Sequence, residues 1–113
     1  MRHRRATDRF KPVKVITVAV ESEDGLPAGF GVVADISEGG ACVITDVGLY
    51  VGASVRLALS FPNHRTPIST PGKLCWIQRD PASRNIRYGM QFEPGPWTDT
   101  EQLKSLIADH AAS

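Results

Sequence analysis

The apolar residues of this chain recur at every second position in short runs, and this pattern constrains the fold more than any other feature. The clearest run is 54–61, where Val55, Leu57, Leu59 and Phe61 alternate with polar or small residues. Successive side chains of a β-strand point to opposite faces, so the run predicts a strand with one buried face. β-branched and aromatic residues, which strands favour, are also frequent in the other runs. We therefore predict a mainly β protein.

Six such runs are separated by turn-forming residues; they cover 13–21, 30–36, 41–45, 54–61, 68–78 and 86–93. Six strands joined by short turns favour a small barrel or a sandwich. Within the fifth run, Pro71 and Gly72 predict a break or a bulge. Leu74 and Trp76, two positions apart, are expected to share a face.

A short helix is predicted after the last strand. Thr98 and Glu101 have the spacing of a capping box, and Leu103, Leu106 and Ile107 follow at helical spacing. We expect a helix over about 98–111 whose apolar stripe packs on the sheet.

With 113 residues, 42% of them hydrophobic, the chain fits a single domain with a packed core. Its start is different, because Arg2, Arg4, Arg5, Arg9 and Lys11 all precede Pro12. We predict a flexible basic arm over 1–12 and a folded domain over 13–113. Basic arms often bind phosphates, although a solvated start that only keeps the protein soluble has the same composition.

Several functional classes receive no support. No long apolar run predicts a membrane span or a signal peptide, so a cytoplasmic protein is expected. Cys42 and Cys75 lie in apolar runs and are expected to be buried thiols. The three histidines, His3, His64 and His110, have no zinc-site spacing, and no nucleophile elbow surrounds Ser37. We predict neither a metal site nor an enzyme.

A polar turn lies between the second and third predicted strands, with the sequence Asp35-Ile36-Ser37-Glu38-Gly39-Gly40. Alternation over this strand places Phe30, Val32, Ala34 and Ile36 on one face and Val33, Asp35 and Ser37 on the other. The two glycines suggest a tight reversal with a close backbone approach or a positive φ. The turn is expected to present a carboxylate and a hydroxyl as a pair.

Arginine at the N-terminus and Asp35 at the turn have complementary chemistry toward a guanine nucleotide. A guanidinium can bind phosphate or the O6/N7 edge of guanine bidentately, and it can stack on a purine. A carboxylate can accept hydrogen bonds from guanine N1–H and N2–H₂. A phosphate-binding loop is not predicted, because Gly39-Gly40 is followed by neither Lys-Ser/Thr nor a helix.

These two stretches resemble the motifs of the bacterial PilZ domain. Arg5-Ala6-Thr7-Asp8-Arg9 matches Arg-x-x-x-Arg, and 35–40 matches Asp-x-Ser-x-x-Gly, in the family's order. Gly89-Met90-Gln91-Phe92 resembles the family's Gly-x-x-Phe, Trp76 closes a late strand, and a helix follows. The resemblance covers nearly the whole chain and implies a six-stranded antiparallel β-barrel that binds cyclic di-GMP.

Transferred position by position, the resemblance implies ligand binding by Arg4, Arg5, Arg9, Asp35, Ser37, Gly39 and Gly40, with Trp76 and Gly89 as further candidates. Arg5 and Arg9 would hold guanine edges and phosphates. Arg4 would stack in an intercalated ligand dimer, which gives up to two ligands per protomer. Cyclic di-GMP is a ligand here and no cofactor is expected.

The implied function is a receptor whose arm becomes ordered on binding and signals to an effector protein. An adaptor of this family that binds no nucleotide is the alternative, and a basic-arm nucleic-acid binder has the least support. For single residues, Asp35 and Ser37 could instead only stabilise the turn, and Trp76 is expected in the core rather than in a ligand site.

Overall fold

A computed structural model describes residues 15–22, 27–62, 64–93 and 100–111. Its elements are β1 (Thr17–Ser22), β2 (Pro27–Ser37), β3 (Gly40–Thr45), β4 (Ser54–Ser60), β5 (Ile68–Arg79), β6 (Ile86–Phe92) and α1 (Thr100–Ala111). The strands form a closed antiparallel barrel in the order β1-β2-β3-β6-β5-β4. The predicted six-stranded barrel with a C-terminal helix is therefore confirmed.

The core lies inside the barrel and follows the alternation of the sequence. On β4, Val55, Leu57 and Leu59 are buried, and Phe61 continues the same face beyond the strand. The largest fully buried side chain is that of Tyr88 on β6. Since every strand pairs on both sides, the closed barrel leaves no open sheet edge among the described strands.

The first two strands differ from the predicted ranges. β1 begins at Thr17, and residues 13 and 14 of the predicted strand lie outside the described residues. β2 is longer than predicted and begins at Pro27. The predicted basic arm, 1–12, also lies outside the described residues.

A bulge in β2 makes the predicted assignment of its faces wrong. The register with β3 passes from Val33 opposite Val43 to Asp35 opposite Cys42, so Ala34 is an extra residue. One extra residue reverses the inward and outward positions that follow it. Phe30 and Val32 are therefore exposed, whereas Val33 before the bulge and Ile36 after it are both buried.

A second bulge lies in β5, but not at Pro71-Gly72 as predicted. Both of these residues keep a regular register with β4, and the shift occurs at Cys75, between Leu74 opposite Met90 and Trp76 opposite Gly89. Leu74 consequently points into the core while Trp76 is outside, 38% exposed. The predictions that these two residues share a face and that Trp76 belongs to the core are both wrong.

The β3–β4 loop is held by one buried side chain and one glycine. The Tyr88 hydroxyl donates to the Val47 carbonyl (2.6 Å) and accepts from the Leu49 N–H (3.0 Å). At the end of the loop, Gly52 has φ of 89° and its N–H donates to the Leu74 carbonyl. A glycine with positive φ in this hydrogen-bond pattern forms the first position of a bulge, which returns the chain into β4.

Helix α1 packs on the core with its apolar stripe. Leu103 and Ile107 are buried in the core and Leu106 packs against it, as predicted from their spacing. The amide nitrogen of Gln102 is 2.9 Å from His64 Nε2 in the β4–β5 loop, which ties the polar side of the helix to the barrel. The predicted cap residue Thr98 lies outside the described residues.

We expect Tyr88→Phe to lower the free energy of unfolding by about 1–3 kcal/mol, because it leaves the backbone groups of Val47 and Leu49 without their partner. Urea denaturation followed by circular dichroism measures this change. Tyr50→Phe is the matched control, since Tyr50 lies in the same loop with 73% of its surface exposed. Equal losses in both variants would contradict this role of the buried hydroxyl.

Candidate functional site

The turn between β2 and β3 is fixed by its own side chain and by its contact with β6. Ser37 is buried; its Oγ accepts from the Gly39 N–H (3.3 Å) and donates to the Gly40 carbonyl (3.5 Å). The Gly39 carbonyl in turn accepts from the Phe92 N–H (2.9 Å). The turn-stabilising role that was the alternative for Ser37 is thus present. After the β2 bulge, Asp35 opposite Cys42 and Ser37 opposite Gly40 follow a regular register, so these two residues still share one face, and the Ser37 hydroxyl is engaged in the turn.

Gly40 meets a requirement of the barrel at this turn. A Cβ at this position would overlap the carbonyl oxygen of Met90 on β6. A backbone oxygen in a paired strand cannot move aside cheaply, so β3 can approach β6 here only with glycine. Of the two reasons expected for the glycines of this turn, close backbone approach is the one that applies to Gly40.

Four aligned residues cross the outer wall of the barrel next to this turn. Asp35 on β2 is opposite Cys42 on β3, Cys42 is opposite Gly89 on β6, and Gly89 is opposite Trp76 on β5. We call these four residues the site row. The strands are about 4.8 Å apart, so the row places a carboxylate and an indole at opposite ends of one short stretch of wall.

Trp76 covers Gly89 within this row. A Cβ at Gly89 would overlap the indole ring of Trp76, including its Nε1. The indole therefore lies flat against a strand that has no side chain at this point, with part of its surface open to solvent. An aromatic face in such a position can stack on a planar base.

Two residues beside the row, Gln91 and Cys75, were not among the predicted ligand-binding residues. Gln91 is opposite Gly40, on the same outer face of β6 as Gly89, and its Oε1 is 3.8 Å from Cys75 Sγ. Cys75 is exposed at the β5 bulge, which makes its predicted burial wrong, whereas Cys42 is buried as predicted; neither cysteine forms a disulfide. The strand pairing that aligns Cys42 and Gln91 with the motif residues has no local signal in the sequence.

The structure thus brings part of the predicted site together. Asp35, Ser37, Gly39, Gly40, Gly89 and Trp76 all lie on or beside the outer wall of β2, β3, β6 and β5. Asp35 is half-buried at one end of this wall. Arg4, Arg5 and Arg9 lie outside the described residues, and their place in the site stays a prediction.

The described ranges contain neither a cluster of metal-ligating side chains nor a membrane-spanning helix. Among residues 15–22, 27–62, 64–93 and 100–111, no group of three or more His, Cys, Asp or Glu side chains is arranged to hold a metal ion. No helix in that part of the chain has the length and apolar character needed to span a membrane.

The sequence model of the PilZ domain matches residues 3–109. This range includes the predicted arginine motif, the turn between β2 and β3, and the site row. No curated protein sequence matches the chain.

Solved structures share the fold at low sequence identity. MotI/DgrA, an inhibitor of motility from Bacillus subtilis, has 21% identity and a TM-score of 0.71 over 97% of this chain and 52% of its own. The PilZ domain of YcgR from Escherichia coli, solved with c-di-GMP, has 17% identity and a TM-score of 0.72 over 97% of this chain and 93% of its own. The MrkH–c-di-GMP complex from K. pneumonia has 16% identity and a TM-score of 0.74 over 97% of this chain and 53% of its own. The chain spans about half the length of MotI and MrkH.

We expect Gly89→Ala to displace the Trp76 indole, because the added methyl group occupies the volume of the ring. The test uses a Trp97→Phe background, in which Trp76 is the single tryptophan. Its fluorescence emission should shift to longer wavelength and become more accessible to acrylamide. Gly48→Ala is the control, since nothing lies within 4 Å of the added Cβ there. Emission that is unchanged in Gly89→Ala would contradict the close packing of ring and strand.

Proposed function

Because this chain belongs to the PilZ domain family, we propose that it is a receptor for cyclic di-GMP that passes the signal to an effector protein. The observation that carries the proposal is the site row, which aligns Asp35, Gly89 and Trp76 beside the turn that contains Ser37 and Gly40. Along this wall a hydrogen-bond acceptor and an aromatic face lie about three strand spacings apart.

Each of these groups suits one part of a guanine nucleotide. The Asp35 carboxylate can accept from guanine N1–H and N2–H₂, a pair of donors that adenine does not have. The Trp76 ring, one side of which lies against Gly89, can stack on a planar base with its other side. The wall has no phosphate-binding group of its own at the row, so a negative ligand needs cations from elsewhere.

In our proposal the arginines of the predicted arm supply these cations. Arg5 and Arg9 would bind the phosphates and the O6/N7 edges of guanine with bidentate hydrogen bonds. Arg4 would add a stacking plane for a second, intercalated ligand. The ordering of the arm on the wall would form the surface that an effector recognises, in a cytoplasmic bacterial protein without catalytic activity. Support for this comes from the family membership and from the c-di-GMP complexes of YcgR and MrkH, which share the fold.

We expect isothermal titration calorimetry to detect cyclic di-GMP binding that Arg5→Ala, Arg9→Ala and Asp35→Ala each weaken by about 10–100-fold, the effect of losing one bidentate or charge-assisted contact. Arg65→Ala and Asp80→Ala are matched controls on exposed loops away from the row. Circular dichroism checks that each variant folds. Unchanged affinity in both arm variants would exclude the arginine mechanism, and no binding to the wild type would favour the adaptor that binds no nucleotide.

The number of ligands tests the role of Arg4 separately. We expect two cyclic di-GMP molecules per protomer in the wild type and one in Arg4→Leu, because leucine offers no guanidinium plane for the intercalated pair. Calorimetric stoichiometry, with the protein concentration set by amino-acid analysis, measures both values. One ligand in the wild type excludes the intercalated pair, and two ligands in Arg4→Leu exclude this residue from forming it.

A further inference from the structure

An exposed apolar surface lies directly beside the site row. Val32 on β2 is opposite Ile44 on β3, and Ile44 is opposite Arg87 on β6, one step along the same outer face from Asp35, Cys42 and Gly89. Phe30 is two positions before Val32 on β2 and is 76% exposed. We call Phe30, Val32, Ile44 and Arg87 the outer patch.

The apolar part of the outer patch is continuous. Val32 is 39% exposed and Ile44 is half-buried between Val32 and Arg87. Ala19, the β1 partner of Phe30, adds a small side chain beside the ring, so the phenyl group stands out from a low surface. Single exposed apolar residues are common on proteins, but an exposed phenylalanine next to two aliphatic residues on one sheet face is typical of a contact surface.

The charged part of the outer patch is basic. Arg87 is exposed in the same row as Ile44, and Arg84 lies in the β5–β6 turn that precedes β6. In the described part of the chain, neither arginine side chain forms a hydrogen bond or an ion pair. The acidic residue of that turn, Asp80, uses its Oδ1 to accept from the Ala82 N–H (2.9 Å). Another carboxylate near the patch is that of Asp46, just after β3.

From this arrangement we propose that the outer patch binds a protein segment that presents carboxylates beside a large apolar side chain. The apolar side chain would pack on Phe30 and Val32, and a carboxylate would pair with the guanidinium of Arg87, whose planar fork suits bidentate binding. The proposal rests on the proposed function, since this segment would belong to the effector protein. It adds the location and the chemistry of that contact.

The charge and the apolar surface of the outer patch favour a protein as its ligand over a membrane or a nucleic acid. Each arginine near an anionic lipid surface contributes about 1 kcal/mol, so Arg84 and Arg87 would give weak membrane binding. Nucleic-acid binding draws on many phosphate contacts, of which this patch provides few. A buried aromatic ring next to one desolvated arginine is, in contrast, the usual composition of a protein–protein hot spot.

The outer patch and the site row are close enough for one ligand to influence the other. Positions two apart on a strand are separated by about 6.6–6.8 Å, so Arg87 is one such step from Gly89 and Ile44 one step from Cys42. A nucleotide lying on the site row would therefore border the effector segment. Each would change the affinity of the other by the same factor.

The test selects random peptides displayed on phage against the immobilised wild type, with counter-selection on Phe30→Ser. Enriched peptides are synthesised and titrated against Phe30→Ser, Arg87→Glu and two matched controls, Tyr50→Ser and Arg65→Glu, which change equally exposed groups elsewhere. We expect acidic peptides with a large apolar residue whose affinity falls about tenfold or more in the two patch variants and stays unchanged in the controls. A lysine in place of the peptide carboxylate should restore binding to Arg87→Glu.

Several results would overturn the proposal. Selected peptides without acidic residues, or no enriched peptide at all, would be such a result. So would peptides that bind the wild type and both patch variants with equal affinity, or a protein that binds phosphatidylglycerol vesicles or duplex DNA in place of peptides.

The coupling between the two sites has its own test. We expect saturating cyclic di-GMP to change the affinity for the peptide by about fivefold, and equal peptide affinities with and without the nucleotide would exclude the coupling. Nucleotide titrations on the same variants separate the two proposals: peptide binding without nucleotide binding in the wild type would reject the proposed receptor function and keep the patch.

Discussion

The pairing of β3 with β6 is the interaction on which the rest of the structure depends. It joins segments far apart in the sequence, with Thr45 opposite Ile86 and Gly40 opposite Gln91, and it lies between the β1–β2–β3 hairpins and the β4–β5–β6 strands. Without it the sheet would be open at two edges, each with unpaired backbone groups. The same pairing places Cys42 opposite Gly89 and so completes the site row. The same strand pairing is therefore needed both to close the barrel and to align the candidate site.

Two glycines at this junction are required by the packing of the barrel. At Gly40 the absence of a Cβ leaves room for the Met90 carbonyl, and at Gly89 it leaves room for the Trp76 ring. Gly40 is also the last residue of the turn whose carbonyl contacts Ser37. A glycine in the family motif can therefore be required for backbone packing before any ligand is considered. Motif glycines alone therefore do not separate a binding protein from an adaptor of the same fold.

Alternation in the sequence was sufficient to predict the strands and the helix stripe, because hydrophobic burial repeats with the period of each element. It left a barrel and a sandwich open, and the barrel was expected from the resemblance to the PilZ domain. Alternation was not sufficient for the faces of β2 and β5. Ala34 and Cys75 each add one residue to a strand, and every later side chain changes sides. Nothing local marks either bulge, whereas Pro71-Gly72, which looks like one, keeps a regular register with β4.

The same bulges account for what could and could not be predicted of the site. The motif at 35–40 was visible in the sequence, but the outward position of Trp76 depends on the extra residue at Cys75. The alignment of Asp35 with Cys42 depends in the same way on Ala34. Bulges are frequent beside functional sites because they redirect a side chain without ending the strand. In this barrel they turn an aromatic ring and a carboxylate toward the same wall.

The outer wall at the site row is held by backbone pairing, so it is preorganised in the absence of a ligand. The turn after Ser37 has hydrogen bonds within itself and to Phe92, and the indole of Trp76 is supported by a strand. Binding to a preorganised surface saves the entropy of ordering it, which favours affinity at this half of the site. A paired barrel strand cannot shift its register without breaking the closure. In the proposed receptor, a response to cyclic di-GMP would therefore come from groups added to this wall rather than from rearrangement within it. The proposed outer patch, next to the site row, would be the most direct route for such a signal.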